Sequence, residues 1–405
     1  MRDFRLLWAG QSCSFLGSSV SEIALPLLAV ITLHCGPAQL GLLTAAQFAP
    51  YLLLALPAGA WIDRSAKRPI LLAANFGRAA IFAVVPLLYV ADALRIEWLY
   101  LIAFAAGILT VGFDIAYQAQ IPALVPAGEL VRANSRLAVS ETTADVGGPG
   151  IAGLLVQAAG APAALALDAA SFLVAGFTVA AMRPHEPARQ SADDADRGLA
   201  AIRAGLRATL GDARLRAVTA EAAMYNFFQA AVLASVALFF TRELGLSPAV
   251  YGIVFTVGSV GAIIGSLSVG FLVKRFGVGH VLAAAAVVGN ASYLLIALAD
   301  GPMPLVVAAV TLGVFGDALG SGISDVLAAA IRQAAAPPGM LGRVSASSKW
   351  LTLGALPLGA LAGGLCGAKL GLRPTMVIAA CGILLAAGWL LIGPVRRLRE
   401  LPASR

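Results

Sequence analysis

Four carboxylates stand inside stretches that are otherwise apolar. Glu22 lies within the run 10–33, Glu141 and Asp145 within 137–158, and Asp317 within 303–327. A charge deep in hydrocarbon is costly, so ionisable side chains there mark pathways or proton sites. Gln11, Ser14, Ser18 and Glu22 are spaced by 3, 4 and 4 residues and share one helix face. Glu141 and Asp145 are four apart, one and two turns from the inner end of their run. Two carboxylates that close resist joint ionisation in a low dielectric, which suits one of them to carry a proton. Asp317 belongs to a stripe of Gly313, Asp317, Ser321 and Ser324. The expected chemistry is proton binding and release at Glu22, Glu141, Asp145 and Asp317. The plainer alternative is a side chain satisfied by a neighbouring helix.

A second set of residues suits a ligand. Asn226 and Gln229 are three apart, with Tyr225, Phe227 and Phe228 around them. Amide and aromatic groups together fit a bulky, partly apolar molecule; hydrogen bonds between helices explain them equally well. Ser18 and Lys349 complete the candidate substrate contacts. Lys349 corresponds to Glu141 if the two halves of the chain are offset by 208 residues, and otherwise reads as a side chain snorkelling to the headgroups. Arg78 is expected to snorkel or to pair with loop charge, and Asp168 to be structural. Cys13, Cys35, Cys366 and Cys381 have no metal-like spacing and read as small hydrophobes. His34, His185 and His280 are scattered, and no phosphate loop of the G-x-x-x-x-G-K-[ST] type occurs. No metal, cofactor, nucleic acid or enzymatic activity is expected, and energy must come from an ion gradient.

The elements that position these groups follow from composition. The 405 residues are 60% hydrophobic and 12% charged, with mean hydropathy +0.87; a soluble domain carries about 25% charged residues. Twelve apolar windows of roughly membrane-spanning length recur, at about 10–33, 40–61, 70–91, 98–122, 137–158, 162–181, 217–241, 250–272, 279–299, 303–327, 348–369 and 374–395. Lipid requires each to satisfy its own backbone, which makes them helices. The first reads as a retained helix, since no convincing cleavage site follows it. Of 28 Lys and Arg, 22 fall in one alternating set of segments, four in the other, and two at or within spans. Such a bias puts the rich set, and both termini, in the cytoplasm.

The segment 183–216 interrupts the spans. It begins with Pro184, Pro187 and clustered Asp, then repeats Leu199, Ile202, Leu206, Leu210 and Leu215 with Arg203, Arg207 and Arg214 between them. It is expected to be a linker and an amphipathic inner-leaflet helix, between an N-terminal bundle 1–182 and a C-terminal bundle 217–405. Gly41 and Gly252, Gly59 and Gly270, Asp114 and Asp325, and Arg132 and Arg343 each differ by 211, whereas Pro149 and Pro357 differ by 208. The halves therefore read as parallel six-helix repeats, with a three-residue length difference after Arg132.

Gly59-x-x-x-Asp63-Arg64-x-x-Lys67-Arg68 resembles the loop signature between helices 2 and 3 of the major facilitator superfamily, and Gly270 through Gly277, with Lys274 and Arg275, its degenerate twin. Ala116–Ala119 with Leu124-Val125-Pro126, Arg132-x-Asn134, Asp168-x-x-Ser171-Phe172 and Gly342-Arg343-Val344 are similar to the drug and siderophore exporter branch, the enterobactin and macrolide efflux proteins. Gly147-Gly148-Pro149-Gly150 with Gly153 resembles the Gly-Pro signature of antiporters, with Ala152 departing from it; Pro357 repeats the theme. The resemblance implies an all-α integral membrane protein, twelve transmembrane helices in two pseudo-symmetric six-helix bundles.

On the physics of the turn, Gly59 permits close helix approach and Asp63 can face a helix N-terminus. Asp114 is expected to pair with Arg64, Lys67 or Arg68, and Asp325 with Lys274 or Arg275. The function expected is export of a hydrophobic or amphipathic drug, antibiotic or siderophore-like molecule by proton antiport. The protein would be a monomer in a bacterial inner membrane, with small molecule, protons and lipid as its partners. A proton-coupled nutrient importer and a non-transporting sensor or scaffold are the alternatives.

Overall fold

The computed structural model describes residues 2–63, 65–183, 197–337 and 339–400, which are helical almost throughout, with no strand among them. The helices are α1 (Arg2–Leu27), α2 (Pro37–Asp63), α3 (Lys67–Val90), α4 (Ile96–Leu124), α5 (Leu130–Ala159), α6 (Ala161–Ala180) and α7 (Arg197–Gly211). They continue with α8 (Ala213–Leu238), α9 (Pro248–Phe276), α10 (Val278–Ala297), α11 (Met303–Ala335), α12 (Leu341–Leu370), α13 (Leu372–Ala386) and α14 (Gly388–Ile392). Eleven spans among the described residues are long and apolar enough to cross a membrane. The twelfth, α5, is 30 residues long and carries Arg132, Arg136, Glu141 and Asp145, which lower its hydropathy without shortening it.

The helix ends make the repeat explicit. An offset of 211 carries the start of α1 onto α8, α2 onto α9, α3 onto α10, α5 onto α12 and α6 onto α13. The π-helical turn Leu28–Thr32 that prolongs α1 recurs at the same offset as Phe239–Glu243 after α8. α2 and α9 both open on a proline, Pro37 and Pro248, where the missing N–H costs nothing. Gly160 (φ 83°) and Gly371 (φ 92°) join α5 to α6 and α12 to α13; this backbone region excludes most side chains.

This register corrects the expected three-residue length difference. α5 and α12 are both 30 residues long and both of their ends obey 211. Pro149 and Pro357 therefore occupy different turns, and Glu141 corresponds to Thr352, not Lys349. The proline pair misled because each helix carries its proline at a different position.

The chain forms two compact units. The first contains α1–α6 and takes in Leu246–Thr256, the opening turns of α9; the second contains α7, α8 and the residues from Val257 onward. In the first unit α1 packs on α5 and α6, α2 on α4, and α3 on α4 and α6. Phe4, Leu7, Ile62, Leu71, Phe113 and Leu124 belong to one apolar cluster within it. In the second, α8 packs on α12 and α13, α10 on α11 and α13, and α7 on α12.

Small residues set these crossings, as expected where lipid supplies no hydrophobic drive between helices. A Cβ on Gly148 would strike Ser19 of α1, and one on Gly359 would strike the Phe227 carbonyl of α8. Gly59 and Gly270 differ: a Cβ on either meets no described atom within 4 Å. The close approach expected at Gly59 is not seen within its own unit. Pro149 and Pro357 are both buried.

The linker helix is shorter than expected. Leu215 belongs to α8, and α7 meets α12 through Gly205, against the Arg343 backbone. Asp212 caps α8, accepting from the backbone N–H groups of Arg214 (2.8 Å) and Leu215 (3.1 Å). Hydrogen bonds from the Arg214 side chain, with those backbone donors, hold the Asp212 carboxyl below the usual carboxylate range.

Candidate functional site

All six helices of the first unit contribute to a cavity of about 330 Å³. α1 supplies Ser18, Ser21 and Glu22, α5 supplies Glu141 and Asp145, and α6 supplies Asp168. The expected stripe on α1 thus splits: Gln11 and Ser14 are buried in helix contacts, while Ser18 and Glu22 face the opening. Because α5 begins at Leu130, Glu141 and Asp145 stand three and four turns into it, near its middle. The expectation of one and two turns is corrected: the charged residues before 137 already belong to the helix. Asp145 accepts a hydrogen bond from Ser19 Oγ at 3.4 Å and lies within electrostatic range of Glu22. Tyr251, carried into this unit by α9, also lies within range of Glu22.

The cavity wall includes one guanidinium that sequence reasoning misplaced. Arg78 is 5% exposed and does not snorkel. Its plane lies between the rings of Phe113 and Phe172, 4.3 Å and 4.2 Å from their centroids. It donates to Asn75 Oδ1 (3.0 Å) and the Ala74 carbonyl (3.3 Å), with Asp114 and Asp168 near enough to offset its charge. A delocalised, weakly hydrated guanidinium suits such a clamp better than an ammonium. The signal was in the sequence: Asn75 and Arg78 are i, i+3 in an apolar run, two turns past the basic turn.

Asp168, given a structural role from sequence, is fully buried and lines the same cavity. Its Oδ1 accepts from Ser171 Oγ at 3.0 Å. Its Oδ2 has no hydrogen-bond partner among the described residues.

The residues of the basic turn are used in several ways. Arg64 lies outside the described residues, as does the side chain of Asp63. Lys67 Nζ donates to the carbonyls of Ile62 (2.7 Å) and Ser65 (2.9 Å), closing the turn. Arg68 donates to the carbonyls of Val179 (3.3 Å) and Ala180 (2.7 Å), at the C-terminal end of α6 where cations are favoured. Asp114 accepts from Tyr51 Oη at 2.7 Å.

In the second unit Lys274 and Arg275 are exposed, and among the described residues no ion pair joins either to Asp325. Asp325 lies within electrostatic range of Arg332, two turns along α11, and of Glu221 on α8. The expected pairing with Lys274 or Arg275 is corrected on this point: the cation within range of Asp325 is Arg332, two turns along the same helix. Glu221 was missed, although it lies four residues inside the window 217–241.

Asp317 is the centre of a separate hydrogen-bonded group in the second unit. Tyr225 Oη lies 2.8 Å from Asp317 Oδ1 and 3.3 Å from Ser321 Oγ. Tyr293 of α10 also hydrogen-bonds Asp317, and Gln229 hydrogen-bonds Tyr293. Asn226 donates to the Thr352 carbonyl of α12 at 3.1 Å, a helix-to-helix bond. Lys349 is exposed. No group of three or more His, Cys, Asp or Glu able to hold a metal occurs among the described residues.

Residues 1–404 match the family model described as transmembrane secretion effector. Macrolide efflux protein A of Streptococcus pyogenes is 25% identical over 181 residues, 44% of this chain and 44% of that protein, so the match spans less than half the length of this relative. A bacterial homologue of the iron transporter ferroportin, solved in an inward-facing state, superposes with TM-score 0.78 at 18% identity, over 96% of this chain and 98% of that one. A bacterial homologue of the human lysosomal transporter Spinster gives 0.72 at 18% identity, covering 98% and 96%. The nucleoside transporter NupG gives 0.72 at 14%, covering 97% and 99%. At these identities the structural likeness speaks for the fold alone.

Proposed function

The chain belongs to the transmembrane secretion effector family of major facilitator transporters, and from that premise we propose that it exports a hydrophobic or amphipathic small molecule by proton antiport. A multi-pass transporter, not an enzyme, is the frame for every group described above. The observation that carries the reading is the cavity of the first unit, where Glu22 and Asp145 face one opening within electrostatic range of each other. Two carboxylates so placed exchange a proton readily, because adding one relieves the repulsion between them. Glu141 on the same wall and Asp317 in the second unit are further proton carriers. Ser18 and Gln229, which correspond at the offset of 211, present polar groups at equivalent positions on the first helix of each half.

In the cycle, substrate leaves the cavity as a proton takes its place, and the halves alternate access to the two sides of the membrane. Asp63 and Arg64 latch one side, with Gly59, Lys67, Arg68 and Asp114 shaping the turn. Gly270, Lys274 and Arg275 form the twin turn, and Lys349 acts as a secondary substrate contact. In this reading the protein is a monomer in a bacterial inner membrane, both termini cytoplasmic, with the segment between α6 and α8 linking the two bundles.

The test is accumulation of a fluorescent amphipathic dye in cells with and without the protein, repeated with the proton gradient collapsed. Lower accumulation that disappears on collapse is the expected result. A difference that survives collapse overturns antiport, and higher accumulation in expressing cells overturns export.

A further inference from the structure

The segment after α14 folds back on the turn between α9 and α10. Pro394–Arg397 forms a 3₁₀ turn. The Leu398 and Arg399 carbonyls then accept hydrogen bonds from the backbone N–H groups of Gly279 (2.8 Å) and Val278 (3.3 Å). Those N–H groups open α10 and have no acceptor within their own helix. Glycine permits the approach: Gly277 has φ 80°, and a Cβ on Gly279 would strike the Val395 and Arg396 carbonyls. Residues 393–400 thus form a strap. It brings together two basic stretches far apart in the chain, Lys274 with Arg275, and Arg396 and Arg397 with Arg399.

All five of these side chains are exposed. Among the described residues none of them enters an ion pair or donates a side-chain hydrogen bond. Glu400 is the one carboxylate in the stretches 270–280 and 393–400. The equivalent turn of the first half uses its cations differently. At the offset of 211, Lys67 and Arg68 correspond to Val278 and Gly279. Lys67 closes its own turn on the Ile62 and Ser65 carbonyls, and Arg68 is held by the Val179 and Ala180 carbonyls of α6. In the second half the strap's backbone secures the turn, and the cations are left over. Apolar side chains stand beside them where two spans end: Phe276, 54% exposed, at the end of α9, and Ile392, 92% exposed, at the end of α14. The Arg275 guanidinium lies 5.4 Å from the Phe276 ring centroid.

We propose that the strap and the α9–α10 turn form a docking site for the headgroup of an anionic phospholipid, whose acyl chains run along Phe276 and Ile392. Charge selects the headgroup: Lys and Arg at a membrane surface attract anionic lipid, and the guanidinium fork matches phosphate oxygens. The exposed apolar neighbours select a lipid over a free phosphate, because they give its chains a surface directly below the charge. In the proposed orientation the site faces the cytoplasmic leaflet, whose surface potential is negative. Docking does not depend on the direction of transport or on the coupling ion.

The experiment gives full-length protein in detergent equal amounts of dioleoyl phosphatidylglycerol and dioleoyl phosphatidylcholine, and native mass spectrometry counts each lipid retained. The wild-type protein should retain phosphatidylglycerol roughly tenfold over phosphatidylcholine at low ionic strength, and less so as salt is added. Arg396→Gln, Arg397→Gln and Arg399→Gln together should remove most of that preference. Gly279→Ala keeps all five cations but displaces the strap, and should lower the preference by roughly threefold. Arg203→Gln with Arg207→Gln removes exposed cations of α7 instead, and should leave it unchanged. No preference in the wild-type protein overturns the site, as does an unchanged preference in the triple variant. An unchanged preference in a folded Gly279→Ala protein overturns the part given to the strap; if that variant does not fold, the triple variant decides alone. An equal loss in the α7 variant overturns the site by reducing the effect to general surface charge. Inorganic phosphate that displaces phosphatidylglycerol better than chloride does at the same ionic strength overturns the lipid in favour of a free anion.

Discussion

Gly153 on α5 and Gly252 on α9 meet backbone to backbone. A Cβ on either residue would stand 3.0 Å from the Cα of the other, and closer still to a backbone carbonyl. Gly150 N–H donates to Thr256 Oγ1 at 2.9 Å, one turn away on each helix. The Gly-Pro stretch of α5 therefore has a definite neighbour, the opening turns of α9. Backbone cannot yield as a flexible side chain can, so Gly153→Ala and Gly252→Ala should each destabilise the protein by about 1–3 kcal/mol. Thermal unfolding in detergent would check this; an unchanged midpoint in both variants would mean that the crossing is not made in the folded protein.

Arg78 stands between two rings with carboxylates on either flank, and its removal leaves those carboxylates uncompensated. Arg78→Met should destabilise by about 3–5 kcal/mol, the range for breaking a buried charge pair on one side. Arg78→Lys should recover part of that stability but not the stacking on Phe113 and Phe172. Adding Asp168→Asn to Arg78→Met should restore stability, giving a coupling in a double-mutant cycle. Strict additivity of the two changes would refute the pairing.

Tyr225→Phe removes one donor from Asp317 and leaves Tyr293 in place. A hydrogen bond to a charged acceptor is worth about 1.5–3 kcal/mol, so gradient-driven efflux should fall by roughly tenfold while surface expression stays normal. Asp317→Asn should fall further. Full efflux in both variants would remove Asp317 from the proton path.

Asp63→Asn should impair transport at normal expression if the turn latches one side of the membrane. Efflux equal to wild type would argue that the basic turn sets topology and nothing more.

Asp212→Ala should loosen the start of α8 by about 1 kcal/mol, the usual cost of losing an N-cap. Because the folded carboxyl lies below its ordinary value, the cap contributes above the unfolded pKa near ~3.9. That contribution is lost as pH falls through the lower folded value. The wild-type advantage over Asp212→Ala should thus be complete at neutral pH and shrink below about pH 4; limited proteolysis at the α7–α8 junction reads it directly.

Hydropathy and the repeat are legible in the chain alone. Twelve apolar runs, a lopsided distribution of Lys and Arg and an offset of 211 determine a two-part helical membrane protein. Each of these depends on composition along one strand of sequence. Carboxylates inside apolar runs were legible for the same reason: a charge where lipid is expected needs no third dimension to be noticed. Glu221 meets that criterion too, although it stands near the end of its run.

Partnership was not legible. Whether Arg78 snorkels or is clamped depends on Phe113 and Phe172, which are 35 and 94 residues away in the chain. Whether Asp168 is structural depends on whether α1 and α3 bring groups to satisfy it, and only packing brings Ser21 and Arg78 to it. Asp325 lies near Arg332 and Glu221, and no count of loop charges would choose them over Lys274. The 208-residue spacing of two prolines competed with 211 until the helix ends were known. Periodicity and charge bias are properties of a chain; a hydrogen bond, a stacked guanidinium and an unpartnered oxygen are properties of side chains that only packing brings within a few ångströms of each other.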